Sequence, residues 1–246
     1  MDLYGLIGRS LSHSFSSTFF NQKFSEEHID ASYTNFEMES LDSIQEIFQL
    51  TGLNGLNVTI PYKEKIIPFL DEIDPLAEKI QSVNTIQLIR RNNGVKLKGH
   101  NTDVYGFYQL IRAYLKAHHE KALILGTGGA SKAVAHVLSE YGIQVNFMSR
   151  KPSYSNVFNW DEMNEFFVKN HLLIINTTPI GMYPDIDEKI PIYYEAISSN
   201  HLVIDLIYNP KETAFLAECK NRGAVTLNGH AMLIHQALKS WEIWNQ

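Results

Sequence analysis

Apolar and polar positions along the chain follow two alternating patterns. Short apolar runs recur, and between them lie segments with apolar residues at three- and four-residue spacing. The first pattern is typical of buried strands and the second of amphipathic helices. Strands that alternate with helices predict parallel βαβ units, so the chain is expected to be an α/β protein.

The strand pattern occurs in both halves of the chain. The expected strands are residues 3–7, 31–36, 53–60, 83–90, 95–100, 121–125, 144–149, 172–176, 202–205 and 224–227. The fourth and fifth of these flank Asn92-Asn93-Gly94, which predicts a β-hairpin. The expected helices are residues 17–28, 41–50, 61–70, 74–80, 103–118, 132–141 and 213–222, with a long one after Gly229. Ser14 or Ser16 would cap the first helix.

These elements predict two domains. Residues 103–228 read as a Rossmann-like dinucleotide-binding domain, and residues 1–102 with 229–246 as an α/β substrate-binding and catalytic domain. The final helix is assigned to the first domain because it is amphipathic and needs an apolar surface to cover.

Composition narrows the function classes. The chain of 246 residues carries 21 basic and 27 acidic residues, a net charge of −6, which argues against a nucleic-acid partner. The single cysteine, Cys219, suits a reducing compartment. Neither a signal peptide nor a membrane span is recognisable, so a cytoplasmic location is expected. The histidines show no metal-binding spacing, and no metal is expected.

A glycine-rich turn follows the apolar run at residues 121–125. It reads Gly126-Thr127-Gly128-Gly129-Ala130-Ser131 and precedes an expected helix. Such a turn lets the backbone approach a pyrophosphate at a helix N-terminus, although a plain β–α turn has the same look. We interpret it as a dinucleotide site.

The next strand bears on which dinucleotide is bound. NAD-binding units usually place an acid about 20 residues after the glycines, to hold the ribose hydroxyl. Here the strand ends Ser149-Arg150-Lys151, and Asp161 and Glu162 come too late. The cationic side chains of Arg150 and Lys151 suit a 2′-phosphate and favour NADP. The alternative is that both are ordinary surface charges in contact with water. Polar strand ends at residues 176–182 and 205–210 are further ligand candidates, or simple turns for Asn176 and Asn209.

Polar clusters stand at element edges in the first domain. They are residues 12–17, Asn57 with Thr59 and Lys63, Asn84 with Thr85, and Asn101-Thr102-Asp103. Mostly neutral hydrogen-bonding groups suit a small polyhydroxylated ligand. Lys63 could supply a proton, but a solvated lysine is the commoner case. Asp103 could equally be a helix cap.

Together these segments resemble the NADP-dependent shikimate dehydrogenase family over nearly the whole chain. The matching pieces are H-S-x-S from His13, N-V-T-x-P-x-K from Asn57, V-N-T from Val83, G-x-N-T-D from Gly99, the glycine turn, D-x-x-Y-N-P-x-x-T from Asp205 and G-x-x-M-L-x-x-Q-A from Gly229. The resemblance implies reversible reduction of 3-dehydroshikimate to shikimate with NADPH, in aromatic amino acid (chorismate) biosynthesis. It leaves open a monomer or a homodimer.

The resemblance also implies roles for individual residues. Lys63 and Asp103 would be the catalytic pair. The residues implied to bind substrate are Ser14, Ser16, Asn57, Thr59, Asn84, Asp103, Tyr208 and Gln236. Those implied to bind the cofactor are Gly126, Thr127, Gly128, Gly129, Ala130, Ser131, Ser149, Arg150, Lys151, Thr178, Leu206 and Gly229.

Some positions depart from the family pattern. After the second Rossmann strand the family usually has N-R-T-x-x-R, whereas this chain reads Ser149-Arg150-Lys151-Pro152-Ser153-Tyr154, so the second arginine is missing. Lys151 is a point charge without the planar, stacking guanidinium of arginine. Two alternatives stay open: an NAD-preferring quinate/shikimate dehydrogenase, and an inactive cofactor-binding regulatory module.

Overall fold

The structure, a computed structural model, describes residues 1–11, 14–91, 94–152 and 154–246. The chain divides into two compact units. Unit 1 comprises Met1–Thr102 with Gln236–Gln246, and unit 2 comprises Asp103–His235. The sequence placed the return to the first domain at residue 229, whereas this division falls after His235, within the last helix. Among the described residues, no helix is long and apolar enough to cross a membrane.

Unit 1 is built on a mixed sheet of six strands. The strands are β1 (Asp2–Gly8), β2 (Ala31–Glu37), β3 (Leu53–Val58), β4 (Glu72–Ile73), β5 (Thr85–Arg91) and β6 (Gly94–His100). Their order is β2-β1-β3-β5-β6-β4. β1 pairs in parallel with β2 and β3, while β5 is antiparallel to β3 and β6. The expected hairpin is thus confirmed; its turn residues Asn92 and Asn93 lie outside the described residues.

Helices complete unit 1. They are α1 (Phe15–Glu26), α2 (Ile44–Phe48) and α3 (Pro75–Ile80), with a 3₁₀ turn at Ile67–Phe69. The prediction of a helix over residues 61–70 is wrong. Pro68 has no N–H to donate to the carbonyl of residue 64, so this segment forms turns and the short 3₁₀ stretch instead.

Two apolar clusters cover the faces of the unit 1 sheet. One centres on Ile7, Leu56 and Ile86, and the other on Phe20, Tyr33 and Trp244. The indole N–H of Trp244 donates to the carbonyl of Ile86 (3.0 Å), which attaches the C-terminal residues to the sheet. Burial of large aromatic surface, with the polar atom satisfied, holds this end of the chain in unit 1.

Unit 2 has a fully parallel sheet. Its strands are β7 (Lys121–Leu125), β8 (Gln144–Ser149), β9 (Val157–Asn159), β10 (Leu173–Asn176), β11 (Leu202–Asp205) and β12 (Val225–Asn228). Their order is β12-β11-β10-β7-β8-β9. Every pairing is parallel. This is the open α/β sheet that the alternating pattern predicted.

The helices of unit 2 are α4 (Asp103–Ile111), α5 (Gly129–Glu140), α6 (Glu165–Asn170) and α7 (Ala214–Asn221), and α8 (His230–Trp244) runs from unit 2 into unit 1. Short 3₁₀ turns lie at Trp160–Glu162 and Tyr194–Ala196. The prediction that α4 continues to residue 118 is wrong. The amide of Lys116 donates to Nδ1 of His119 (3.1 Å), and the backbone follows turns here.

Candidate active site

Asn57 is the centre of a buried polar network in unit 1. It lies near the carboxyl end of β3 and is 3% exposed. Its Nδ2 donates to Oγ of Ser240 (2.9 Å), to Oγ1 of Thr85 (3.2 Å) and to the carbonyl of Asn84 (3.2 Å). Its Oδ1 accepts the hydroxyl of Tyr33 (2.8 Å). Both ends of the amide are therefore fixed by partners.

Asn84 extends this network. Its Oδ1 accepts the amide N–H of Thr102 (2.7 Å), and its Nδ2 lies 3.0 Å from Oγ1 of Thr102. Nδ2 also donates to Oε1 of Gln236 (3.3 Å). Ser240, one helical turn after Gln236, donates to the Gln236 carbonyl (3.0 Å). Three residues expected to bind substrate, Asn57, Asn84 and Gln236, thus belong to one connected set.

The groups of this network are neutral. They are amides and hydroxyls, together with the Tyr33 phenol. Burial raises the pKa of Tyr33 well above its ordinary value of 10, which outweighs the opposite effect of a hydrogen bond with Ser16. Such a set can donate to and accept from hydroxyl groups without a change of its own charge.

The expected carboxylate-binding serines lie at the start of α1. Ser14 is the N-cap, and its Oγ accepts the amide of Ser17 (3.3 Å). Ser16 lies within the first helical turn and is buried. Of the two capping candidates, Ser14 is therefore the cap. His13, the first residue of the H-S-x-S piece, lies outside the described residues.

Thr59 and Lys63 follow β3 in a turn. The amide of Thr59 donates to the carbonyl of Ile7 (2.9 Å), and the carbonyl of Lys63 accepts the amide of Val83 (2.8 Å). Backbone bonds to two different segments therefore fix the base of the Lys63 side chain, which is partly exposed. Asp103, the first residue of α4, belongs to unit 2 and is 5% exposed.

The glycine turn of unit 2 leads from β7 into α5. Gly126 has a φ of +105°, which favours glycine. α5 begins at Gly129, earlier than residue 132, the expected start, so the turn itself supplies the helix N-terminus. In the part of the chain that the structure describes, no side chain caps this helix, and a Cβ on Gly128 would meet no atom within 4 Å. A helix N-terminus with open space in front of it fits a pyrophosphate.

The end of β8 adjoins this turn. The amide of Gly126 donates to the carbonyl of Met148 (2.8 Å), and the hydroxyls of Thr127 and Ser149 lie 3.2 Å apart. The amide of Lys151 donates to Oγ of Ser149 (3.2 Å). Arg150 and Lys151 are exposed. Two cations therefore stand beside the glycine turn, where the 2′-phosphate of a bound NADP would be expected. Ser153 lies outside the described residues.

A second polar cluster, the carboxyl cluster, lies at the ends of β10 and β11. Asp205 Oδ1 accepts Nδ2 of Asn176 (2.9 Å) and the amide of Ile207 (3.0 Å), and its Oδ2 accepts the hydroxyl of Thr213 (2.7 Å). Asn176 Oδ1 accepts the amide (2.9 Å) and hydroxyl (2.7 Å) of Thr178. Burial raises the pKa of Asp205 to about 6, although these donors lower it.

Leu206 and Gly229 meet beside this cluster. The amide of Gly229 donates to the carbonyl of Ile207 (3.1 Å), and a Cβ on Gly229 would lie 2.0 Å from the Leu206 carbonyl oxygen. Only glycine fits there. Tyr208 is half-buried in the same segment after β11. Unit 2 thus groups the glycine turn, Thr178 and Leu206 at the carboxyl ends of its strands, where α/β sheets bind ligands.

Sequence reasoning missed several members of these clusters. Tyr33 and Ser240 carry hydrogen bonds to Asn57, but nothing in their local sequence separates them from ordinary core positions. Asp205 and Thr213 did stand in a quoted motif, and Asn176 at a noted strand end. Their eight- and 29-residue separations hid the contact between them. Among the described residues no group of histidine, cysteine and acidic side chains could hold a metal.

Comparison with known proteins decides the family. The profile of the shikimate dehydrogenase substrate binding domain matches residues 6–86. A shikimate dehydrogenase (NADP(+)) of Clostridium beijerinckii is 39% identical over 100% of this chain and 93% of its own. The chain belongs to the shikimate dehydrogenase family.

Solved structures of the family agree with the fold. Shikimate dehydrogenase 1 of Peptoclostridium difficile has a TM-score of 0.86 at 39% identity, covering 100% of this chain and 92% of that one. Shikimate 5-dehydrogenase of Thermus thermophilus, in complex with NADP(H) and shikimate, has a TM-score of 0.84 at 27% identity, covering 99% and 93%. The predicted α/β class and Rossmann-like second domain are confirmed by these neighbours.

Proposed function

We propose that this chain is an NADP-dependent shikimate dehydrogenase, which interconverts 3-dehydroshikimate and shikimate. The observation that carries the proposal is the 39% identity, over the full chain, to a relative of that name. It is supported by an uncapped glycine-rich helix N-terminus in unit 2 and a buried set of neutral hydrogen-bonding groups in unit 1. Such groups suit a hydroxylated ring.

The chemistry assigned to the chain's own residues is proton transfer. Bound NADPH supplies a hydride to the C3 carbonyl carbon. The Lys63 ammonium gives a proton to the oxygen, so the carbonyl becomes a hydroxyl and Lys63 becomes a neutral amine. In the oxidation direction Lys63 takes the proton back. Asp103 orients Lys63 and accepts a hydrogen bond from the neighbouring hydroxyl. A positioned proton donor contributes roughly 10²–10⁴-fold to such a rate.

Substrate binding is assigned to groups that match its functional groups. Ser14 and Ser16 bind the carboxylate, with Tyr208 beside it. The groups assigned to the ring hydroxyls are Asn57, Thr59, Asn84, Asp103 and Gln236. Amides and hydroxyls both donate and accept, so they pair with a substrate hydroxyl without the desolvation cost of another charge.

Cofactor binding is assigned to unit 2. Residues 126–131 hold the pyrophosphate with backbone N–H groups at the start of α5. Ser149, Arg150 and Lys151 hold the 2′-phosphate. The nicotinamide end of NADP is bound by Thr178, Leu206 and Gly229. The single cysteine, Cys219, fits an enzyme of the reducing cytoplasm. The proposed enzyme acts as a monomer or a homodimer.

A steady-state assay of shikimate oxidation tests the proposal. We expect kcat/KM to be at least about 10-fold higher with NADP than with NAD, and higher for shikimate than for quinate. A preference for NAD and quinate would make the chain a quinate/shikimate dehydrogenase, and absence of turnover with either cofactor would make it an inactive module. Neither alternative is favoured by the residues, since no acid follows β8 directly and both Lys63 and Asp103 are present.

A further inference from the structure

Asp205 is a buried carboxyl group that the proposed reaction does not use. It ends β11 and its side chain is 0% exposed. Its three hydrogen bonds, from Asn176, Ile207 and Thr213, all come from neutral donors at 3.0 Å or less. In the part of the chain that the structure describes, no cation pairs with it. A buried carboxylate held in this way needs all of its donors, because each replaces lost water.

The cluster reaches the cofactor side through Asn176. Because Thr178 gives both its N–H and its hydroxyl to Asn176 Oδ1, the amide must present Nδ2 to Asp205. The amide of Ile180 in turn donates to Oγ1 of Thr178 (3.3 Å). If the Asp205 carboxylate is removed, Nδ2 of Asn176 loses its acceptor. The Asn176 amide is then free to rotate, and it no longer holds Thr178 in one orientation.

The cluster also reaches Leu206 and Gly229. The bond from the Ile207 amide to Asp205 Oδ1 closes a turn around Leu206. The Leu206 amide donates to the Asn176 carbonyl (3.0 Å), and the Gly229 amide donates to the Ile207 carbonyl (3.1 Å). Since the Gly229 backbone packs directly against the Leu206 carbonyl, a displaced turn would displace both residues.

We propose that Asp205 is a positioning residue for NADP: through Asn176 and Ile207 it holds Thr178, Leu206 and Gly229 in the arrangement that receives the nicotinamide end. This rests on the proposed function. Asp205 is fully buried, so its proposed role requires no contact with substrate or cofactor. Among the described residues, two other titratable groups interact with Asp205, namely Tyr194 and Cys219. Both stay protonated at neutral pH because burial raises their pKa values, that of Cys219 to about 12. Neither group can therefore replace the negative charge of the Asp205 carboxylate in a variant that lacks it.

The test compares variants of the full chain. Asp205→Ala removes all three bonds, and Asp205→Asn keeps the acceptor for Asn176 and Ile207 but not for Thr213. Thr213→Val removes one donor, and Thr213→Ser restores it. Glu212→Gln, at an exposed neighbour paired with Lys220, is the matched carboxylate control. NADPH affinity is measured by fluorescence titration, and KM is measured separately for NADP and shikimate.

We expect Asp205→Ala to weaken NADPH binding at least about 10-fold, equivalent to about 1.4 kcal/mol. Asp205→Asn and Thr213→Val should weaken it less, Thr213→Ser should recover it, and the KM for shikimate should change less than about twofold. Thr213 also caps α7, so Thr213→Val removes that cap together with the bond to Asp205. Asp205→Asn leaves the cap in place and keeps the test informative if Asp205→Ala fails to fold.

Two results would overturn the inference: folded variants that bind NADPH like the wild type, or equal increases in KM for NADP and shikimate, which a general loss of structure produces. The proposed function is judged separately, by the wild-type chain. If the wild type turns over shikimate with NADP while the variants bind NADPH normally, only the role of Asp205 is wrong. A wild type that does not bind NADPH overturns both.

Discussion

The two units each bury a polar network around asparagine side chains near the carboxyl end of a strand, but the networks differ in charge. The unit 1 network joins Asn57 and Asn84 to hydroxyls, a glutamine and the Tyr33 phenol. The carboxyl cluster of unit 2 joins Asn176 to Asp205, whose pKa is raised to about 6. Neutral networks keep their hydrogen-bond pattern as pH changes, whereas a network that holds a buried carboxyl cannot.

The difference matches the assigned ligands. A substrate with several hydroxyls needs partners that donate and accept. The proposed cofactor site needs the turn around Leu206 to keep one geometry. The Asp205 carboxylate, which accepts three hydrogen bonds, can hold that turn in place. The comparison therefore predicts that changes in the unit 1 network alter shikimate binding, and that changes in the carboxyl cluster of unit 2 alter NADP binding.

The largest effect is expected at Lys63. Lys63→Ala removes the proton donor and should lower kcat by roughly 10²–10⁴-fold, with little change in the KM for shikimate. Steady-state kinetics in both directions measure this. Lys65→Ala, an exposed lysine two positions later, is the control and should keep wild-type kcat. A kcat for Lys63→Ala within a few-fold of wild type would remove Lys63 from the mechanism.

The next test introduces a charge into the neutral network of unit 1 and measures the stability of the fold. Asn57→Asp replaces a donor with an acceptor facing the Asn84 carbonyl and should lower the free energy of unfolding by about 3–5 kcal/mol, measured by urea denaturation. Asn164→Asp is the same chemical change at the N-cap of α6, where two backbone amides donate to Oδ1. That variant should match or slightly exceed wild-type stability. Equal losses in both variants would contradict the difference between the sites.

The pH dependence of Asp205 gives a third test. Burial raises its folded pKa from 3.8 to about 6, so its contribution to stability is fully present below pH 3.8 and is lost as pH rises through 6. The loss amounts to about 3 kcal/mol. The free energy of unfolding of Asp205→Asn should therefore rise relative to that of the wild type between about pH 4 and pH 7.

The difference in unfolding free energy between the wild type and Asp205→Asn reports on Asp205 alone. His119 and His171 have pKa values lowered by burial from 6.5, and they weaken the fold as pH falls below that value. Both chains carry these histidines, so their effect cancels. Glu212→Gln, at an exposed carboxyl, should show no such difference. Parallel stability curves for wild type and Asp205→Asn would show that Asp205 does not titrate in this range.

The smallest effect is expected at the exposed cations after β8. Arg150→Ala should raise the KM for NADP about 3- to 10-fold at low salt and leave the KM for NAD nearly unchanged, because only NADP carries the 2′-phosphate. Lys151→Ala should act in the same direction but more weakly. The effects should shrink at high ionic strength, since exposed charges are screened. Equal changes in KM for NADP and NAD would indicate that these residues do not contact the 2′-phosphate.

Local patterns along the chain were enough to predict the order and type of most elements. The predicted bounds 121–125, 144–149 and 202–205 matched the strands to the residue. The first and last are nearly continuous apolar runs because these strands are buried on both faces. The glycine turn was also recognisable from its composition, and at Gly126 the positive φ favours glycine. Local patterns failed where local signals conflicted, as at Pro68 within residues 61–70, or where elements are too short to show a period, as in β4 and β9.

Which polar residues share a network depends on the folded chain. Asn57 meets Ser240 across 183 positions, and Asp205 meets Asn176 across 29, and no periodicity in the chain records such pairs. The fold also decided the charge state of Asp205. An aspartate at a strand end looks the same in sequence whether water or protein surrounds it, and its pKa depends on that surrounding.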